Sequence, residues 1–135
     1  MENSKILNTV SRILLPFIII FGIYIIVNGD KSVGGGFQGG VILSTSYLVY
    51  YQITNKHLFS LKKMLKVDKY IFIILIFAIG FSLITKGELF TNFFPSYFDI
   101  SIRRTYLELL NIIIGTKVAI GFIVLFLIFI EEGDS

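Results

Sequence analysis

The sequence predicts an all-α integral membrane protein with four transmembrane helices. Of its 135 residues 55% are hydrophobic and 16% charged, and the mean hydropathy is +0.83, a balance too apolar to cover a water-soluble surface. The apolar residues come in blocks. Four of them, 6–27, 37–53, 70–85 and 106–130, match or approach the length of about 20 residues that a spanning helix needs. The second and third are short and need flanking residues to complete the crossing. The basic residues gather between the blocks: Lys5, Arg12, Lys56, Lys62, Lys63, Lys66 and Lys69 make seven on one side, against Lys31, Lys86, Arg103 and Arg104, four, on the other. Because Lys and Arg accumulate on the cytoplasmic side, both termini and the 54–69 loop are expected in the cytoplasm of a cell-membrane protein. The acidic tail Glu131, Glu132, Asp134 weighs little in that rule. Four helices use most of the chain, so residues 1–135 are expected to form a single membrane domain.

Composition excludes several chemistries. No cysteine is present, which removes disulfides, thiolate metal sites and Cys nucleophiles. The one histidine, His57, lies in a polar loop and cannot complete a metal cluster without other chains. No catalytic residue, metal or cofactor is assigned to the chain. The net charge of +3 does not signal nucleic acid, because the lysines sit at membrane edges.

In the first block Lys5 and Arg12 precede an apolar stretch, as in a signal peptide. No small-x-small cleavage site follows, and the run passes into Asn28-Gly29-Asp30 and another helix, so retention as a helix is expected. Pro16 removes one backbone donor and should kink that helix or mark the start of its regular part.

The densest motif, residues 28–40, joins the first two helices. Gly34, Gly36 and Gly39 spell GxGxxG, but a dinucleotide site needs a preceding strand within a βαβ unit, and a membrane helix stands there instead. Gly29 and Gly34 supply backbone freedom for a turn. Gly36, Gly40 and Ser44 recur every four residues on one face of the second helix, and Gly35 with Gly39 widens a small-residue stripe suited to close helix approach. Ser44, Thr45 and Ser46 read as helix–helix hydrogen-bonding groups rather than sodium ligands.

The segment Leu15-Pro16-Phe17, Phe21-Gly22-Ile23-Tyr24, Asn28-Gly29-Asp30 and Gly34-Gly35-Gly36-Phe37-Gln38-Gly39-Gly40-Val41-Ile42-Leu43 resembles the MnhB/MrpB family. That family comprises small four-helix subunits of multi-subunit Na+/H+ antiporters, with related modules in membrane-bound ferredoxin-linked hydrogenases. The likeness is strongest over residues 12–45. Gly34, Gly35, Gly36, Phe37, Gly39 and Gly40 carry over position by position. Two departures stand out: Val33 replaces the usual proline before the three glycines, and Asp30 replaces the usual histidine, putting a carboxylate where the family has an imidazole. The resemblance implies membership of a cation- and proton-translocating assembly. Its partners would be the other subunits, the lipid bilayer and, through the complex, Na+ and H+.

Toward the third helix, residues 56–69 alternate lysines with Leu58, Leu61 and Leu65, as an amphipathic turn lying on the membrane surface would. Phe90, Phe93, Phe94, Tyr97 and Phe98 around Pro95 suit an interfacial aromatic belt in the outer loop.

The fourth block carries Lys117 near its centre and Glu108 near its outer end. A lysine at mid-membrane costs roughly 2.5–3.5 kcal/mol on insertion scales, so it normally faces protein or a water-filled cavity. Glu108 and Lys117 are nine residues apart, which at 100° per residue directs them to nearly opposite faces. They should meet different neighbours. Two readings fit Lys117: a buried ion pair or carbonyl-capped lysine at a subunit contact, and an element of a proton or ion route. For Glu108 the readings are an interfacial charge beside Arg104, one turn away, and a pathway group. Lys117, Glu108 and Asp30 are thus the candidates for the ion or proton pathway. The expected function is that of a small membrane subunit of a cation/proton antiporter. The alternatives are the same module in a ferredoxin-driven hydrogenase, a purely structural assembly subunit, and a stand-alone transporter. Against the last, four short helices with two buried charges enclose a pathway poorly.

Overall fold

The computed structural model describes residues 5–29, 31, 34–86 and 100–133. They form four helices: α1 (Lys5–Val27), α2 (Gly35–Thr54), α3 (Leu61–Lys86) and α4 (Ile100–Gly133). Pro16 lies inside α1, which continues through it as one helix. α1 and the Arg104–Ile130 stretch of α4 are long and apolar enough to cross a membrane. Little of either is covered by the rest of the chain: Phe17 and Ile20 of α1 are each 66% exposed, which the core helix of a soluble protein would not be.

Among the described residues, α2 is the most enclosed of the four helices. It packs on α1 along one face and on α4 along another, whereas the backbone of α3 approaches only α4 among the described residues. Glycines set the first two contacts. A Cβ on Gly39 would strike Ile26 and come within 2.8 Å of the Gly22 carbonyl oxygen of α1. One on Gly40 would stand 2.5 Å from the Gly115 carbonyl oxygen and 2.8 Å from Val118 Cβ of α4. One on Gly36 would lie 2.7 Å from the Asn111 carbonyl oxygen. Backbone meets backbone on both sides, the arrangement small residues permit in membranes.

The α1–α2 turn closes through Gly29 N–H to Ile26 O at 3.2 Å and Lys31 N–H to Asn28 O at 3.1 Å. Gly34, at φ 89°, adopts the left-handed conformation that a side chain would strain. At its other end α2 stops at Asn55, also left-handed at φ 50°, whose N–H donates to Tyr51 O at 2.8 Å. Below that cap a compact core joins Tyr47 of α2, Met64 of α3 and Ile123, Val124 and Leu127 of α4.

The expected 56–69 surface turn is corrected. Residues 61–69 are the first turns of α3, nine residues ahead of the expected start at 70. Lysine favours helix about as well as leucine, and Leu61 and Met64 bury against α4 while the lysines between them face outward. The Ser60 carbonyl accepts the N–H groups of Lys63 and Met64 at 3.0 and 3.1 Å, opening the helix. α4 likewise begins at Ile100, six residues before the expected 106. The aromatic loop around Pro95 lies outside the described residues.

Candidate functional site

Lys117 lies 13 residues from Arg104 and 13 from Ile130, the limits of the apolar stretch of α4, hence about 20 Å from either end. There its Nζ donates a hydrogen bond to Asp68 Oδ1 of α3 at 2.5 Å and stands 5.6 Å from the centroid of the Phe72 ring. Met64, Asp68 and Phe72 are spaced by four along α3, so they share the face turned to α4. Met64 anchors the contact, Asp68 supplies the counter-charge, and Phe72 offers its electron-rich face to the ammonium. The Lys117 and Asp68 side chains remain 24% and 27% exposed.

Glu108 sits apart from this pair. Arg104 Nε donates to Glu108 Oε1 at 3.2 Å across one turn of α4, with side chains 50% and 36% exposed. The expectation of two buried charges is corrected for the chain by itself: Lys117 and Glu108 both open onto the bundle surface. Asp30 lies outside the described residues. No group of three or more His, Asp or Glu residues able to hold a metal ion forms among the described residues.

The hydroxyls of α2 also depart from expectation. Ser44, Thr45 and Ser46 donate to the carbonyls of Val41, Ile42 and Leu43 at 2.6, 2.7 and 2.6 Å, three residues back in their own helix. Ser44 is buried at 1% exposure, yet it bonds within α2 and not across to a neighbour. A carbonyl three residues back in the same helix lies within reach of a serine or threonine hydroxyl and satisfies it locally.

The family described as the domain related to the MnhB subunit of Na+/H+ antiporter matches residues 6–130, nearly the whole chain. The chain belongs to the MnhB family. Among curated relatives, the putative antiporter subunit mnhB2 of Staphylococcus saprophyticus is 36% identical over 50 residues, covering 37% of this chain and 36% of the relative. The protein of the same description from Staphylococcus haemolyticus is 34% identical over 56 residues, 42% of this chain and 40% of the relative. That of Staphylococcus aureus strain Newman is 33% identical over 54 residues, 40% and 38%. The matched stretch thus spans well under half the length of these relatives. No solved structure matches the chain.

Within this MnhB chain the motif glycines divide by face, Gly35 and Gly39 toward α1, Gly36 and Gly40 toward α4. A Cβ on Gly35 would overlap the Gly29 backbone, which is what folds the turn shut, and Gly34 supplies its left-handed entry. Phe37 is 55% exposed and meets Phe122 of α4 edge-on at 6.4 Å between centroids. Sequence reasoning missed Asp68 and Phe72. The signal lay in the 64, 68, 72 spacing, which becomes visible only when α3 is started before its lysines.

Proposed function

We propose that this chain is a small B-type subunit of a multi-subunit Na+ (cation)/H+ antiporter, a single domain crossing the cell membrane four times. The match over residues 6–130 carries that reading. The charge distribution supports placing both termini and the 55–60 loop in the cytoplasm, with the α1–α2 turn outside. Since the chain has no cysteine, Lys31→Cys and Ser60→Cys each give one reactive thiol. They should react with an impermeant maleimide from opposite sides of the membrane, and reaction of both from one side would break the topology.

The Lys117–Asp68 pair is the proposed contribution to the proton or ion route. Moving one proton across this hydrogen bond converts ammonium and carboxylate into amine and carboxylic acid with no change in net charge. Loss of the carboxylic acid's proton to one side and capture of a proton by the amine from the other then restore the ion pair, so that one proton has moved through the site. A guanidinium cannot take part, because it keeps its proton near neutral pH. Complexes carrying Lys117→Arg should assemble normally and lose most Na+-dependent proton movement in inverted vesicles. The double variant Asp68→Asn/Lys117→Met should also assemble, since no charge is left unpaired, yet remain inactive. Restored transport in the double variant would reduce the pair to a structural clasp and the chain to an assembly subunit.

A further inference from the structure

At the end of the bundle where α2 stops and α3 begins, an apolar groove of about 320 Å³ opens between α3 and α4. Phe59, Met64, Val67, Ile120 and Ile123 line it, and Lys63 stands at its rim. Its size falls at the lower end of the roughly 300–1,000 Å³ common for small-molecule sites. Along the segment that carries this groove, residues 55–69, the charge is one-sided. Lys56, Lys62, Lys63, Lys66 and Lys69 are all exposed, and none of them is in an ion pair among the described residues. Asp68, the one acid in residues 55–69, already faces Lys117. Leu58, Phe59, Leu65 and Val67 are roughly half exposed among these lysines, a mixture that suits the boundary between headgroups and acyl chains.

From this we infer that the groove binds an anionic phospholipid, one acyl chain lying along Val67, Ile120 and Ile123 and the phosphate held by Lys63 and its neighbouring lysines. Charge selects the occupant. A zwitterionic lipid would fill the groove equally well but gain nothing from a cluster with no carboxylate to spare, whereas each lysine near an anionic headgroup favours it by about fivefold. The inference rests on the membrane placement proposed above, and it does not depend on the proton route.

The chain contains no tryptophan, so a single introduced indole reports on one place. The full chain carrying Phe59→Trp is reconstituted in dioleoylphosphatidylcholine vesicles, and quenching by brominated phosphatidylglycerol is compared with that by brominated phosphatidylcholine. Val67→Trp serves as a second reporter in case the first disturbs helix content. Phe17→Trp, on the exposed face of α1, is the reference. At position 59 or 67 the brominated anionic lipid should quench at about fivefold lower mole fraction, at position 17 equally with the zwitterionic one. Adding Lys63→Gln and Lys66→Gln should abolish the difference. Equal quenching by both lipids at the groove, the same preference at position 17, or a preference that survives the lysine replacements would each overturn the site, and the last two would leave the lysines for the bulk surface potential or an acidic protein surface. No quenching at position 17 by either lipid would instead break the membrane placement itself.

Discussion

One side of α4 lies so close to α2 that a single added methyl group would meet carbonyl oxygens, whereas its other side, among the described residues, meets α3 through the Lys117–Asp68 ion pair, the Phe72 ring and a small core at one end. The first contact is made of backbone and has no give, since glycine removes every side chain that could move aside. The second is made of long side chains. Gly121 of α4 and Gly80 of α3 have nothing within 4 Å of where a Cβ would stand, and Phe77 and Ile84 of α3 are 74% and 83% exposed. The difference teaches where rigidity and adjustability are placed. α1, α2 and α4 form a fixed block, and α3 is an arm clasped to it at Asp68.

The sharpest way to break this contrast is to enlarge a glycine on each side. Gly40→Leu should push α2 off α4 at a cost at or above the roughly 1–3 kcal/mol usual for overpacking, and complex yield on native gels should collapse. Gly121→Leu should leave yield near normal. Equal losses would mean that both faces are filled in the assembly. A smaller effect is expected at the clasp. Asp68→Asn leaves the Lys117 ammonium without its carboxylate; a fully buried pair broken this way costs about 3–5 kcal/mol, and partial exposure should hold the loss below that. Thermal unfolding of the detergent-solubilised complex should show a lowered midpoint, recovered by adding Lys117→Met. A midpoint unmoved by Asp68→Asn would show that α3 is held by its apolar core alone. The least effect belongs to Glu108→Gln, since an exposed i, i+4 pair contributes about 0.3–0.5 kcal/mol. Unchanged yield and midpoint are expected; a loss comparable to that of Asp68→Asn would place Glu108 against a partner subunit.

The rigid block was legible in the sequence and the clasp was not, for physical reasons. Small-residue spacing at Gly36, Gly40 and Ser44 needs only the helical period to be read, and each of those residues lies on α2 where a neighbour comes near. The partner glycines Gly22 and Gly115 stand in apolar runs with no second signal, so the facing surfaces stayed unassigned. Lys117 announced a need for a counter-charge without naming it. Nine acidic residues are available in the chain, and the one that answers sits 49 positions away among lysines that made its helix look like a loop. Hydropathy marks where a helix is apolar, not where its hydrogen-bonded ladder starts. Asp68 fell into that gap.

The 49-residue separation of Asp68 and Lys117 also sets an order in time. At translation rates of about 5–20 residues per second, α3 leaves the ribosome roughly 2–10 s before its counter-charge does. The α1–α2 hairpin is closed by its own turn hydrogen bonds and interlocking glycines, whereas the backbone of α3 comes close only to α4 among the described residues. During that interval Asp68 lacks the lysine it pairs with in the folded chain. Arrival of α4 therefore completes two contacts at once, wedging against α2 and drawing α3 inward.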